Sequence, residues 1–339
     1  IPSKAPFDLF HQDRKNGMHL YCKRVFIMDD CKELMPEYLG FIHGVVDAPD
    51  LNLNISREIL QQDHLVRNIR KNLVKKLFDL LSKMDKEKYE NFYTEFGQSL
   101  KAGIPMDFEN KDKLSHLLRY KTTKTDGKLI SLKEYVENMK PDQEDIYFIT
   151  GENLNSLINS PHLEALKEKD FEVILMTDPV DEWVAQSLTE YEGKKLKSAE
   201  KGDLELDKVD EKKKDSYTSL FDFMQKQLEE KIKEVKPSSR LKDSVSCLSG
   251  DEYEMSAYME KILKSSGQAV PDQKRVLELN INHPVIEKIK TIFETDTTNP
   301  VLKDYIGLLF DMAIISEGGK IDNPSQFSKV IGDLMAGTI

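Results

Sequence analysis

Two runs, EDIYFIT at 144–150 and FEVILMT at 171–177, read as strands, and NLNSLINSPHLEALKEK between them carries a helix. Two strands joined by a helical crossover run parallel, and such a sheet needs cover on its faces. The pair therefore predicts a small parallel sheet covered by helices, with DEWVAQSLTEY as the next helix and a start near Tyr120. Residues 129–139 read as a short helix. Upstream, LYCKRVFIM (20–28) and FIHGVV (41–46) are strand-like, and DDCKELMPEYL between them is a short helix or a loop. From Ser56 the period changes. Val66, Ile69, Leu73, Leu77, Leu80 and Met84 recur at three- and four-residue steps, which predicts a long amphipathic helix with Ser56 as a candidate cap. KEKYENFYTEFGQSLKAG is a second helix that should end near Gly103, with Pro105 just beyond.

Downstream, residues 193–215 are of mixed charge and read as a short strand followed by an exposed linker. SLFDFMQKQLEEKIKEV predicts a helix stopped by Pro237, VSCLS a short strand, EYEMSAYMEKILKSSG an amphipathic helix ending at Gly267, and RVLELN (275–280) a strand. Two final helices carry strong start signals. Asn299-Pro300 and Asn323-Pro324 each offer a capping side chain followed by proline, which tolerates the first helical position, and Gly318-Gly319 separates the two. At 339 residues the chain exceeds one ordinary domain, and two or three units are expected.

Charge and motifs narrow the function classes. Forty-nine basic against sixty acidic residues give a net charge of −11, which argues against a dedicated nucleic-acid binder. Arg67, Arg70, Lys71, Lys75 and Lys76 then read as a solvated helix face. Cys22, Cys31 and Cys247 are odd in number and lack C-x-x-C spacing, so neither a disulfide framework nor a zinc site is expected, and a reduced cytoplasmic setting fits. The best apolar run, LLFDMAII at 308–315, falls short of the roughly 18 residues of a membrane span. The opening IPSKAPF is not a charged-then-apolar signal segment, and without an initiator methionine it reads as a piece of a longer protein. There is no Walker loop, G-x-G-x-x-G, G-x-S-x-G or H-E-x-x-H, and the histidines lack paired ligand spacing. Gly151 follows a strand where an open parallel sheet would present a ligand, but a lone glycine there reads as a turn.

Four stretches offer candidate sites. In DLNLNISREILQQ (50–62), Arg57 sits in a first helical turn and Gln61 shares its face four residues on. Such a pair can clamp an anion presented by another domain, but spacing alone favours an ordinary arginine paired to an acid on a solvated helix start. Trp183, beside Asp181 and Glu182, reads by itself as a partly buried core residue. Met255, Met259, Ile262 and Leu263 lie at i, i+4, i+7 and i+8, a stripe that is normally core. The final helices carry Val301, Leu302, Tyr305, Leu308, Leu309, Met312 and Ile315, then Phe327, Val330, Ile331 and Leu334. That stripe could pack inward or join a second copy in a four-helix bundle. At about 1.5–3 kcal/mol per buried large side chain, ten such residues can outweigh an association cost of about 4–15 kcal/mol.

LYCKRVFIMDD, followed by LMPEYLGFIHGVVDAPDLNLNISREILQQ, resembles the middle domain of the ninety-kilodalton heat-shock protein chaperones, the bacterial HtpG type above all. FDLFHQDR (7–14), DPVDEWV (178–184), GQAVPDQKRVLELNINHPV (267–285) and the terminal helix pair fit the same family in order. The resemblance implies an α/β and α+β multidomain fold. In it, residues 1–85 are the end of a large α/β layer unit with a catalytic loop, and 86–119 a helical connector. Residues 120–214 are a small α-β-α unit with a short parallel sheet, and 215–339 a C-terminal α+β dimerisation domain ending in a helix pair. It implies an ATP-dependent chaperone, a homodimeric clamp for unfolded or partly folded client proteins.

By the same resemblance, Arg57, with Gln61 and Asn54, would reach the γ-phosphate of ATP bound with magnesium by an N-terminal domain that is not in this sequence. No activity or cofactor is expected of this stretch alone, whereas the whole protein should be an ATPase. Client contacts would fall on Glu182, Trp183, Met255, Met259, Ile262 and Leu263, and the dimer on residues 299–335. The ending LMAGTI lacks the M-E-E-V-D tail of eukaryotic relatives, so tetratricopeptide co-chaperones are not expected. Nucleic-acid, membrane and metal partners are not expected either. The alternative is a non-enzymatic dimeric scaffold with a structural Arg57 loop.

Overall fold

The run LYCKRVFIM contains no turn residue, yet it folds as a hairpin. In the computed structural model, which describes residues 1–9, 17–51, 64–204, 206, 210–271 and 273–337, strands Met18–Cys22 and Val25–Met28 pair antiparallel. Lys23 and Arg24 make the turn with φ of 49° and 66°. Asn-Gly usually fills that left-handed pair, which is why the sequence reads as one strand rather than two. The Arg24 amide donates to the Asp47 carboxylate at 3.2 Å, tying the turn to strand Gly44–Asp47, which runs parallel to Met18–Cys22.

Contacts divide the chain into two units, and this sheet belongs to the first, which comprises Ile1–Tyr120, Leu129–Tyr135 and Trp183–Tyr191. Its helices are His64–Ser82, Lys86–Met106 and Lys111–Leu117. Asp85 caps the second by accepting from the amides of Glu87 and Lys88. That helix does not stop near Gly103. It runs through Pro105 to Met106, because the one hydrogen bond lost at proline falls in the last turn and Ile104 is fully buried there. Gly103 is needed for packing: a Cβ would lie 2.7 Å from the Tyr38 ring and 2.9 Å from Leu114. Tyr38 Oη donates to Asp107 at 2.6 Å across the same contact, and Phe41 stacks on Phe96.

The second unit comprises Lys121–Lys128, Val136–Glu182 and Glu192–Ile339. As the apolar runs predict, Ile146–Thr150 pairs parallel with Val173–Met176, and it also pairs parallel with Lys194–Ser198. Every residue of the first two strands is buried. A separate sheet has Arg275–Leu279 at its centre, parallel to Ile232–Pro237 and antiparallel to Ser246–Ser249. Here the expected helix over 219–235 is corrected. The helix covers only Thr218–Gln227, and Ile232–Pro237 is a strand. Its ladder shifts between Ile232 and Glu234, so the buried Ile232 and Val235 fall three apart and imitate a helical period.

Helices Thr218–Gln227, Pro284–Thr295 and Pro300–Ser316 cover this sheet around one core that includes Leu220, Leu277, Ile286, Ile306 and Phe310. The Asn299 and Asn323 side chains accept from the amides of Val301 and Gln326, as their sequence predicts. Gly318, at φ 75°, ends the first of those helices. Among the described residues, no helix is long and apolar enough to cross a membrane. The three cysteines are buried free thiols, and burial pushes Cys31 up to about 12.

One buried ion pair joins segments of this unit. Arg240 Nε donates to Glu278 Oε2 at 3.0 Å, both residues being about 1% exposed, and the other guanidinium nitrogens donate to the carbonyls of Ala199 and Gly202. Removing one member strands the other charge in the interior. Arg240→Met should therefore cost about 3–5 kcal/mol, and Arg240→Met combined with Glu278→Leu clearly less. Urea unfolding followed by amide exchange in strands Ser246–Ser249 and Arg275–Leu279 measures both.

Candidate functional site

Asn54, Arg57 and Gln61 lie outside the described residues, as does Ser56. The residues flanking that stretch are anchored. Cys22 Sγ donates to the Leu51 carbonyl at 3.0 Å, the Ala48 amide donates to Tyr21, and helix His64–Ser82 follows.

The methionine stripe is shorter than its spacing predicts. Ser256 is extended, and its hydroxyl accepts from the Met259 amide at 2.9 Å, so the helix starts at Ala257 and runs to Ser265. Met255 therefore precedes the helix and does not share its periodicity. Met259 is buried, whereas Met255, Ile262 and Leu263 are half-buried and Tyr253 is 95% exposed. The Ser256 hydroxyl also donates to Glu182 Oε1 at 2.6 Å. Glu182 is only 2% exposed, so its carboxylate serves this cap rather than the surface. Trp183, in helix Asp181–Ser187, is 37% exposed.

The terminal helices divide their apolar residues between two directions. Leu302, Tyr305 and Leu309 pack into the core of this same chain, Leu308 and Val330 are buried, and Leu334 packs against that core. Met312, Ile315 and Met335 are exposed, while Phe327 and Ile331 are half-buried.

The second unit also holds a polar group that no local motif announces. His162, Glu200, Glu260, Arg275 and Glu317 line a cavity of about 840 Å³. Arg275 bridges Glu260 at 3.1 Å and Glu317 at 2.5 Å. Glu200 accepts from Thr150 Oγ1 at 3.2 Å. Burial, with Glu317 and Glu182 nearby, pushes Glu200 up to about 8. Burial pushes Glu317 up to about 7 despite Arg275, with Glu260 adding to the rise. His162 is driven the other way, to about 3, by burial and then by Arg240. Among the described residues no cluster of histidine, cysteine and carboxylate side chains could hold a metal ion.

Both carboxyls titrate higher in the folded chain than their ordinary 4.5, so folding favours their protonated forms. Their contribution to stability is complete below about pH 4.5 and is lost as pH rises towards about 8. The melting temperature of the second unit should fall over that range, and Glu200→Gln should flatten the fall. Calorimetry at a series of pH values checks it; an unchanged slope in the variant would contradict the burial of an ionisable Glu200.

The profile of the Hsp90 protein family matches residues 1–339. "Chaperone protein HtpG" of Geobacter sulfurreducens is 47% identical over an alignment of 349 positions, which covers 99% of this chain and 54% of the relative. The protein of the same name from Methylococcus capsulatus is 44% identical, with 99% and 54% covered, and that of Rhodococcus jostii 42%, with 100% and 55% covered. The chain thus spans about half the length of the curated relatives it matches. With a profile that fits from the first residue to the last, and with relatives this similar along the whole chain, this protein belongs to the Hsp90 family.

Proposed function

We propose that this chain is the clamp-forming part of an ATP-driven molecular chaperone that acts in the cytoplasm. The observation that carries the reading is the apolar surface left on the terminal helices after their own core is filled. Met312, Ile315 and Met335 are 40%, 46% and 85% exposed at the end of a unit whose inner face is complete. A second copy that covers them, together with Phe327 and Ile331, makes a bundle of two helices from each protomer. Membership in the Hsp90 family and the likeness to the HtpG chaperones support the same arrangement.

Client proteins would then meet two surfaces. One is the exposed Trp183 indole, and the other is the half-buried Met255, Ile262 and Leu263 beside Tyr253. Flexible methionine and amphipathic aromatic side chains suit partners of varied shape. Glu182 and Met259 would support the second surface from beneath, since both are buried. Arg57 would act on nucleotide held by a domain outside this sequence. Its guanidinium would neutralise charge that grows on the transferring phosphoryl group, with Gln61 and Asn54 holding the loop around it.

Two measurements test the proposal. Sedimentation equilibrium should give a species near twice 39.1 kDa, and Met312→Asp combined with Ile315→Asp should return it to 39.1 kDa. A monomeric unmodified chain, or a dimer indifferent to those changes, would remove the clamp. In the whole protein, Arg57→Ala should lower ATP turnover on the order of 10³-fold while nucleotide affinity is retained. Unchanged turnover would make the Arg57 loop structural and leave a dimeric scaffold.

A further inference from the structure

The cavity in the second unit is walled in part by helices Ala257–Ser265 and Pro300–Ser316, and it is arranged as a binding site. Leu157, Leu248, Phe310 and Ile314 supply apolar lining, and the charged side chains fall into two sets. At the rim, the lysines are mostly engaged. Lys261 pairs with Glu152, Lys264 with Glu260 and Lys231 with Asp322, and Lys274 donates to the Glu229 carbonyl, while Lys320 stays in solvent. Deeper in lie Glu200, Glu260, Glu317 and Arg275. Arg275 is already shared by Glu260 and Glu317, and Glu200 accepts from the hydroxyl and the backbone amide of Thr150. His162, 1% exposed, also lines the cavity, and neither of its ring nitrogens has a hydrogen-bond partner. Its Nε2 lies 3.9 Å from Glu317 Oε1.

The chemistry of that wall selects its ligand. An anion would meet three carboxyls and an arginine whose two terminal nitrogens already serve Glu317 and Glu260. A metal ion lacks a ligand cluster among the described residues. An ammonium group has three donors and one positive charge, which suits a carboxylate pair and the lone pair of a neutral imidazole. We propose that the cavity binds an organic ammonium carried on an apolar body, with the ammonium against Glu200, Glu317 and His162. Two sources share this chemistry, a small free amine and a lysine side chain of a polypeptide segment. Gly151, which also lines the cavity, is fixed by packing, since a Cβ there would lie 2.7 Å from Leu157.

Binding of this kind is linked to protons. Glu200 is faced by Glu317 and Glu182, Glu317 by Arg275, Glu260 and His162, and His162 by Arg240, Glu278 and Arg275. A cation seated there favours ionised carboxylates, so it releases protons on binding, and its affinity rises with pH through the range where Glu317 and Glu200 titrate. The inference is independent of the clamp and of nucleotide, so its failure would leave both untouched.

Titration calorimetry on the whole chain tests it with tryptamine, with its neutral counterpart tryptophol, and with a blocked apolar tripeptide that has a central lysine. At least one amine should saturate a single site, and the tighter of the two identifies the source. Its affinity should be at least about tenfold higher near pH 8.5 than near pH 6, and tryptophol should bind at least about tenfold more weakly. Glu200→Gln and, separately, Glu317→Gln should each weaken the amine about tenfold or more near pH 8.5. The proposal is overturned if neither amine saturates below about 10 mM, if tryptophol binds as well, or if affinity ignores pH. The comparisons of pH and of neutral ligand use the unmodified chain, so they decide the matter even if a variant fails to fold.

Discussion

The second unit depends on one buried carboxylate. Glu278 sits on the central strand of its sheet, where an unpaired charge would be excluded. Both of its oxygens are engaged. Oε2 accepts from Arg240 and the Ser238 hydroxyl, and Oε1 accepts from the Ser249 hydroxyl with Lys236 at 3.5 Å. Burial alone would raise its pKa, but Arg240, Lys236 and the two serine hydroxyls outweigh it and hold the group below the usual carboxylate range. Arg240 then reaches past Glu278 to the carbonyls of Ala199 and Gly202, beyond the end of strand Lys194–Ser198 in the other sheet. Glu164 ties the adjoining turn by accepting from the amides of Lys242, Asp243 and Ser244. Beyond the backbone bridge between Lys201 and Gly250, the two sheets are thus held together by charge-assisted bonds rather than by apolar contact alone.

That seam gives the cavity its character. A site floored by fixed sheets and lined by Glu200, Glu317 and His162 cannot relax by letting water surround each group, so their protonation states are set by one another. The terminal helices follow a different rule. Their inward residues complete a core, and their outward ones, Met312 and Ile315, gain only if something outside the chain covers them. One helix thereby serves both the stability of the unit and its association.

Legibility in the sequence followed the range of the interaction. Asn299-Pro300 and Asn323-Pro324 announce their helices because a cap involves only the next two or three residues. His283-Pro284 carries the same signature, with the imidazole accepting from Val285, and it opens a helix that histidine's rarity as a cap conceals. The hairpin at Lys23-Arg24 is hidden because its turn conformation is imposed by pairing and by Asp47 rather than by glycine or asparagine. Among the candidate site residues, Glu182 is a client contact by family resemblance, but Ser256, far along the chain, holds it as a buried acceptor. The cavity carboxyls have no local mark at all.

The sequence by itself determined the family, the parallel strands, the amphipathic helices and their caps, because motifs, periods and caps are properties of adjacent residues. Only the tertiary structure decided that Ile232–Pro237 is a strand, that Met259 is buried while Tyr253 is exposed, and that Glu200 and Glu317 share a wall with His162. Those outcomes rest on partners distant in the chain, and burial and electrostatic coupling depend on which groups meet in space, not on how they are spaced along it.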